Sequence, residues 1–126
     1  MRFFFDENLG LRLSDGLKAF GEDTCHVLEY FERGTADEVW LQYIGEQGWL
    51  LITVDKRIRR RPLEKDALKK NHVGAFFLGG KSMSRWDRIR QIVRAWHRMT
   101  EIAEKEKRPF AYQVNYHGTE IDKLPL

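Results

Sequence analysis

Short apolar runs and amphipathic segments alternate along the chain. Phe3–Phe5 and residues 49–54 are almost wholly apolar and bounded by polar residues, which is typical of strands buried on both faces of a sheet. Between them, residues 9–20 carry leucines at helical spacing and are followed by Gly21, a pattern that predicts an amphipathic helix. The same reasoning predicts three further strands, at residues 24–28, 73–78 and 110–116.

Capping residues predict where the next helices begin and end. Thr35 and Glu38 have the spacing of a capping box, so a second helix is expected to start there and to end at Gly48. The basic segment 56–71 is broken by Pro62 and is predicted to be helical after it. These boundaries leave only short connections between the helices and the strands.

The last part of the chain predicts one long helix and a final strand. Ser84 is the expected N-cap of a helix that runs to about residue 107, with Trp86 and Trp96 on its buried face. The strand at 110–116 could be an exposed edge, and such an edge could pair with a partner strand or with a second copy of the chain, giving a homodimer.

The order of these elements predicts the fold class. Strands alternate with helices as β-α-β-α-β-(α)-β-α-β, which predicts an α/β three-layer sandwich with a mainly parallel central sheet of about five strands. The length of 126 residues predicts that residues 1–126 form a single domain. In such sheets ligands bind beyond the carboxyl ends of the strands, where the strand order reverses.

Two acidic residues follow strands directly. Asp6 comes after the first strand and Asp55 after the third, and these strands are neighbours if the chain winds outward from the first strand in both directions. The two carboxylates would then share one crevice, where they would share a proton or hold a cation. Asp37, in the first turn of the second helix, belongs to the same edge of the sheet, although an acid there also suits the helix dipole. Magnesium prefers such oxygen ligands.

Composition and charge narrow the classes of function. With 42% hydrophobic and 33% charged residues the chain is of ordinary globular type, and its single cysteine, Cys25, excludes an intramolecular disulfide and a cysteine-built zinc site. No apolar run approaches the roughly 18–20 residues of a membrane span, and Asp6 and Glu7 interrupt the apolar start, unlike a signal peptide. A soluble, cytoplasmic protein that does not contact a membrane is therefore expected.

The net charge of +3 is distributed unevenly. Residues 1–55 hold 4 Lys and Arg against 11 Asp and Glu, a net charge of −7, whereas residues 56–108 hold 17 against 6, a net charge of +11. The basic part begins directly after Asp55, and such a run can bind phosphates. We predict that its first cations contact a polyanion, which the family resemblance given below implies to be RNA: Lys56, Arg57, Arg59, Arg60 and Arg61. Three arginines along the long helix are read instead as a solvated face: Arg90, Arg94 and Arg98.

Three local motifs resemble the PIN and PIN-like ribonucleases, which include the VapC-type toxins of bacterial toxin–antitoxin pairs. The motifs are Phe-Phe-Phe-Asp-Glu-Asn-Leu at residues 3–9, Ala-Asp-Glu at 36–38, and Gly-Trp-Leu-Leu-Ile-Thr-Val-Asp-Lys at 48–56. The resemblance covers residues 1 to about 80 and is closest to the short PIN-like branch whose first strand ends in Asp-Glu-Asn.

The resemblance implies a metal-dependent endoribonuclease with acids around Mg²⁺ or Mn²⁺. Asp6, Asp37 and Asp55 match the catalytic, metal-binding acids of the family, and Thr53 matches its hydroxyl residue, with Asn8 as a supporting residue. A further glutamate of the larger PIN domains has no match; two acids that could take its place are Glu7 and Glu38. If the chain is a toxin, a cognate antitoxin protein is its expected partner and RNA its substrate.

Two other functions remain open from the sequence. Phosphoacceptor receiver domains also place acids after the first and third strands of a parallel sheet, but they need a Ser or Thr after the fourth strand, where this chain has Gly79-Gly80, and a Lys after the fifth. The missing glutamate leaves open a PIN-like scaffold without activity that binds RNA or protein.

Overall fold

Six strands form one sheet in the computed structural model, which describes residues 1–126. The strands are β1 (Phe3–Phe5), β2 (Thr24–His26), β3 (Leu50–Thr53), β4 (Gly74–Leu78), β5 (Phe110–Val114) and β6 (Ile121–Leu124). Their order is β2-β1-β3-β4-β5-β6. All pairs from β2 to β5 are parallel, and β6 runs antiparallel to β5. The predicted mainly parallel sheet is confirmed, with one strand more than the five expected.

Helices cover both faces of the sheet. They are α1 (Leu11–Ala19), α2 (Asp37–Gln47), α3 (Arg57–Arg60), α4 (Pro62–Lys70) and α5 (Arg85–Lys105), and a 3₁₀ turn at Val27–Glu29 follows β2. One hydrophobic core joins α1 and α5 to the sheet, and a second joins α2, α3 and α4 to its opposite face. The predicted three-layer α/β sandwich is therefore confirmed. No helix combines the length and the apolar character that crossing a membrane requires.

Strand β1 shows how the sequence specifies this layering. Successive side chains of a strand point to opposite faces, so Phe3 and Phe5 join the core under α1 and α5 whereas Phe4 joins the other core beside Trp40. All three phenylalanines are at most 2% exposed. Burying each one contributes about 1.5–3 kcal/mol, which explains why three residues suffice for a central strand.

Helix boundaries follow the predicted capping residues only in part. Ser84 accepts a hydrogen bond from the Asp87 N–H (3.1 Å) at the start of α5, and Gly48 ends α2 with φ of 73°, so both caps are confirmed. The capping box of Thr35 and Glu38 is wrong, because the N-cap of α2 is Ala36 and no side chain caps it. The Thr35 hydroxyl instead donates to the Glu32 carbonyl oxygen (2.7 Å) in the preceding loop.

One of the two tryptophans of α5 is not in the core. Trp96 packs on Phe3, with ring centroids 4.7 Å apart, and its indole N–H donates to a Glu22 carboxylate oxygen (2.8 Å). Trp86 is 74% exposed, which corrects the prediction of a buried residue. The first fully buried residues of α5 are Gln91 and Ile92, and Trp86 lies in its first turn, before this buried stripe begins.

The end of the chain adds a strand that the sequence pattern does not reveal. β6 pairs with β5 along its length, so residues 110–116 do not form the exposed edge expected of them. With only four residues, two of them the charged Asp122 and Lys123, β6 has no recognisable hydrophobic pattern. A short, charged edge strand also discourages unwanted strand pairing.

Two glycines in helices give a matched test of this packing. A Cβ atom on Gly45 of α2 would lie 2.4 Å from the backbone oxygen of Asn71, whereas one on Gly16 of α1 would meet no atom within 4 Å. We expect Gly45→Ala to lower the free energy of unfolding by about 1–3 kcal/mol, because the helices must separate. Gly16→Ala should raise it by about 0.5–1 kcal/mol through reduced backbone entropy. Urea denaturation measures both, and a stabilising Gly45→Ala would contradict the α2–α4 contact.

Candidate active site

The parallel pairing of β1 with β3 places two predicted site residues at one edge of the sheet. Phe5 is opposite Ile52, and the Asp6 N–H continues the ladder by donating to the Ile52 carbonyl oxygen (3.2 Å). The chain leaves β1 toward β2 on one side and returns to β3 on the other, so strand order reverses at this point. The predicted adjacency of the first and third strands is confirmed, and a ligand crevice is expected here.

A crevice of about 280 Å³ opens at this reversal point. It brings together the three predicted aspartates and the two residues that follow Asp6 along the chain. The lining residues are Asp6, Glu7, Asn8, Gly34, Thr35, Asp37, Trp40, Asp55 and Arg57.

Hydrogen bonds hold Asp6 in one orientation. Its side chain is buried, the Thr53 hydroxyl donates to its Oδ2 atom, and the backbone N–H of Asn8 donates to its Oδ1 atom (3.0 Å). The Thr53 oxygen in turn accepts the backbone N–H of Asp55 (2.9 Å). Thr53 therefore links Asp6 to the start of the segment that carries Asp55. Asn8 contributes its main chain to this network.

Burial and neighbouring acidic charges raise the pKa values of two of the three aspartates, Asp6 and Asp37. Burial raises the pKa of Asp6 from 3.8 to about 7; the hydrogen bonds from Thr53 and Asn8 oppose this rise, and the charges of Asp55 and Asp37 add to it. For Asp37 burial, followed by the charges of Asp55 and Glu64, raises the pKa to about 6. A crevice of this kind favours a proton or a cation over three free negative charges.

Arg57 compensates the charge of Asp55. Its Nε and Nη2 atoms donate to Asp55 Oδ1 (2.9 Å) and Oδ2 (2.8 Å), and its backbone N–H also donates to Oδ1 (3.0 Å). Burial would raise the pKa of Asp55, but these hydrogen bonds and the charge of Arg57 outweigh it and lower the pKa. Arg57, expected to contact RNA, thus lies inside the crevice on a carboxylate.

The donor set suits a hard divalent cation, although the side chains are not arranged around one. Carboxylate oxygens are the ligands that Mg²⁺ and Mn²⁺ prefer, and four carboxylates line this crevice: Asp6, Glu7, Asp37 and Asp55. No group of three or more His, Cys, Asp or Glu side chains has the arrangement of a metal site. Both oxygens of Asp55 accept hydrogen bonds from the Arg57 guanidinium.

The two glutamates considered as substitutes for the missing family acid differ in position. Glu7 lines the crevice, but it accepts the Gly34 N–H (3.1 Å) and lies 3.7 Å from an Arg33 nitrogen, so it holds the neighbouring loop. Glu38 is not brought to the crevice, and it lines a separate cavity with Gln42 and other residues of α2 and α4.

The basic run after Asp55 divides into three groups. Arg57 binds Asp55 as described. Arg59 packs over the Phe77 ring (5.8 Å to its centroid), its Nε atom is buried without a hydrogen-bond partner, and burial lowers its pKa. The remaining three are exposed to solvent: Lys56, Arg60 and Arg61. Only this last group is free to contact a polyanion without rearrangement.

Two residues that support the site were not singled out from the sequence. Trp40 lines the crevice from α2. The buried His26 accepts the Leu28 N–H at Nδ1 (3.1 Å), so its Nε2 carries the proton and donates to the Leu9 carbonyl oxygen (2.6 Å). His26 thereby fixes the loop after Asp6. His26 lies at the end of β2, beside the end of β1. This position is the feature from which its place near the site could have been predicted.

The largest cavity lies elsewhere. It measures about 1050 Å³ between α1 and α5 and includes the exposed Phe20 and Trp86. Its lining is mainly apolar and contains Arg12 and Arg85 but no carboxylate. A metal-dependent reaction therefore has no ligands there, and the smaller acidic crevice remains the candidate active site.

Comparison with known proteins identifies one family. A family model described as PIN like domain matches residues 1–80. The matched part includes β1 to β4 and the three aspartates of the crevice, and it confirms the resemblance to PIN-like domains over residues 1 to about 80. No curated protein and no solved structure matches the chain.

The raised pKa of Asp6 predicts that the site destabilises the fold at neutral pH. The folded protein retains the Asp6 proton up to about pH 7, whereas the unfolded chain loses it near 3.8, so stability falls as pH rises between these values. We expect Asp6→Asn to be more stable than the wild type by a few kcal/mol at about pH 8 and by little at about pH 4, since one pKa unit corresponds to ~1.4 kcal/mol. Urea denaturation in EDTA measures this difference.

The exposed Asp122 provides the control. Asp122→Asn should not reproduce the pH-dependent gain, because water solvates that carboxylate in both states. An Asp6→Asn advantage that does not grow with pH would contradict the burial of an ionisable carboxyl group at this position.

Proposed function

The chain belongs to the PIN-like domain family, whose members are commonly nucleases, and on that premise we propose that it is a metal-dependent endoribonuclease. The observation that carries the proposal is the convergence of Asp6, Asp37 and Asp55 in one crevice at the carboxyl edge of the sheet. All three lie within the matched residues. The reaction proposed is hydrolysis of an RNA phosphodiester bond.

The three aspartates would hold Mg²⁺ or Mn²⁺. Such an ion lowers the pKa of a bound water and neutralises charge on the phosphate. Thr53 keeps the Asp6 carboxylate oriented toward the crevice, and the Asn8 N–H fixes its second oxygen. Glu7 holds the loop around Gly34 at the mouth of the crevice. These contacts fix Asp6 and the mouth of the crevice before any substrate arrives, whereas Asp55 would become a ligand only after Arg57 leaves it.

Arg57 would exchange partners when the site is loaded. It neutralises Asp55 in the structure, and its side chain is 60% exposed, so it can leave the carboxylate without disturbing the core. A guanidinium released beside the crevice can bind a phosphate through two parallel hydrogen bonds. The exposed Lys56, Arg60 and Arg61 leave the sheet at the same point and would add phosphate contacts.

We further propose that the chain is the toxin of a bacterial toxin–antitoxin pair. The support is its resemblance in residues 3–9, 36–38 and 48–56 to the short PIN-like branch related to VapC-type toxins. The cognate antitoxin and the pairing of two copies of the chain stay predictions.

A second candidate is a PIN-like scaffold that binds RNA or protein without cleaving it. It is favoured by the Arg57 fork on Asp55 and by the lack of a preformed group of metal ligands. No observation favours the receiver domain. Its fourth strand should end in a hydroxyl residue, but β4 ends at Leu78 before Gly79, and Asp55 is engaged by Arg57.

Substitution of the crevice acids tests the proposed reaction. We expect Asp6→Asn and Asp55→Asn each to lower Mn²⁺-dependent cleavage of a labelled RNA by roughly 100-fold or more, because metal catalysis contributes several kcal/mol. Single-turnover rates measured by gel electrophoresis give the comparison. Asp66→Asn is the matched control, since Asp66 is an exposed aspartate of α4 outside the crevice. Cleavage by Asp55→Asn at the wild-type rate would show that the site is elsewhere.

Metal binding separates the nuclease from the scaffold. A metal at about 100 times its Kd stabilises the fold by about 2.7 kcal/mol, so Mn²⁺ should raise the melting temperature of the wild type. We expect Arg57→Gln to bind Mn²⁺ more tightly in calorimetric titration, because the competing cation on Asp55 is gone. Arg60→Gln removes an exposed charge from the same helix and should change this affinity little. Failure of both the wild type and Arg57→Gln to bind Mn²⁺ would favour the scaffold.

A further inference from the structure

A cationic and aromatic surface lies at the same edge of the sheet as the crevice, beyond the ends of β4 and β5. It surrounds a cavity of about 180 Å³ between α5 and the turn after β5. We call it the Tyr116 platform, and its lining residues are Asp87, Arg90, Gln91, Arg94, Tyr116 and His117. All of them lie outside the family match, which ends at residue 80.

The platform is held firmly by the buried side chain of Gln91. Its amide nitrogen donates to the carbonyl oxygens of Gly79 (2.9 Å) and Asn115 (2.9 Å), so it ties the segments after β4 and β5 to α5. The turn after β5 contacts α5 closely at Gly118. There φ is +74°, and a Cβ atom would lie 2.2 Å from the Gln91 carbonyl oxygen. Only glycine permits this approach, so the turn that carries Tyr116 has a defined position.

Tyr116 presents an aromatic ring to solvent from this fixed turn. It is 43% exposed, and its ring meets that of His117 edge-on, with centroids 5.0 Å apart and an interplanar angle of 72°. Arg94 lines the same cavity and donates to the His117 carbonyl oxygen (3.4 Å). An exposed tyrosine held in this way, beside arginines, is the arrangement on which a nucleic-acid base stacks.

The charge of the platform is positive. Arg90 and Arg94 are exposed, and Arg88 lies half-buried behind them, donating to the Gly79 carbonyl oxygen (2.9 Å). The one acid of the platform is Asp87, which lies 3.5 Å from Arg90, and both of these side chains are solvent-exposed. Two arginines against this one aspartate leave the platform with a net positive charge, and an exposed ion pair holds Arg90 only weakly. Arginine side chains at such a position can contact the phosphates on either side of a stacked base.

We propose that the Tyr116 platform binds single-stranded RNA, with one base stacked on Tyr116 and the flanking phosphates on Arg90 and Arg94. The platform would hold the part of the RNA that lies beside the crevice. This role rests on the proposed RNA substrate. Strands β3, β4 and β5 are parallel neighbours, so their carboxyl ends lie at one edge. At about 4.8 Å between strands, the end of β5 is roughly 10 Å from that of β3. A short stretch of one strand of RNA bridges that distance.

Binding of a short, unstructured, fluorescein-labelled RNA of mixed A and U, measured by anisotropy in EDTA, tests the platform without any cleavage. We expect Tyr116→Ala to weaken binding by roughly 5- to 150-fold, the equivalent of one base stacked on an aromatic ring. Tyr116→Phe keeps the ring and should bind like the wild type. The double variant Arg90→Gln, Arg94→Gln should weaken binding. It should also make the negative slope of log K against log salt shallower, by about 0.7 for each phosphate that the protein no longer neutralises.

The controls define what would overturn the proposal. Lys105→Gln removes a charge from the far end of α5, outside the platform, and should leave binding unchanged. Wild-type affinity in Tyr116→Ala with an unchanged melting curve overturns the proposal, as does the lack of any RNA binding by the wild type. Equal binding of duplex RNA, or displacement of the RNA by polyglutamate as effective as by unlabelled RNA, also overturns it, since the surface would then recognise charge alone.

The same variants separate this proposal from the proposed nuclease activity. If the wild type cleaves RNA and Tyr116→Ala cleaves it with unchanged KM, the platform is wrong and the nuclease stands. If no cleavage occurs with Mn²⁺ but Tyr116→Ala still weakens RNA binding, the nuclease is wrong and the platform stands. A platform that serves the nuclease gives a raised KM with kcat nearly unchanged in Tyr116→Ala, because the contact is equally strong before and during the reaction.

Discussion

Burial of Asp6 at the end of β1 is the constraint on which the site depends. The side chain is only 3% exposed, and the parallel pairing of β1 with β3 sets it beside Thr53 and near Asp55. An ionised carboxyl group in this position is destabilised by the loss of water and by its acidic neighbours. The fold therefore favours a proton on Asp6 or a cation in the crevice, and sites that give up stability in this way are commonly functional ones.

Arg57 supplies the crevice with a cation from the chain itself. Its guanidinium lies on Asp55, where it lowers the pKa of that carboxyl group while Asp6 and Asp37 keep raised pKa values. Because Asp55 and Arg57 are two residues apart at the end of β3, this internal cation needs no other element to position it. The Arg57 side chain is 60% exposed, so it can leave Asp55 without disturbing the core. In the proposed nuclease, Arg57 would leave Asp55 when a metal binds.

Sequence reasoning predicted the parts of the structure that local patterns encode. The apolar runs predicted β1 and β3, and the adjacency of Asp6 and Asp55 followed from the assumption that the chain winds outward from β1 in both directions, which the strand order confirms. Contacts between distant segments were not predictable in this way. Trp86 satisfies the helical periodicity, but it precedes the part of α5 that reaches the sheet, and Thr35 bonds within its loop although its spacing suits a cap. Four residues with two charges could not reveal β6, and Gln91 gave no sign that it would join three segments.

The acidic and the basic parts of the chain meet at this edge of the sheet. Residues 1–55 carry −7 and residues 56–108 carry +11, and the boundary falls between Asp55 and Lys56, at the crevice itself. Acidic side chains alone would repel RNA, and basic ones alone would hold it without a place for a metal ion. Here the three aspartates face the crevice, whereas Lys56, Arg60 and Arg61 remain exposed to solvent beside them. Cations around an acidic centre attract a polyanion over a distance of about 8–10 Å at moderate salt, beyond which screening dominates. In the proposed nuclease, neighbouring side chains would therefore attract the strand and bind the ion without cancelling each other.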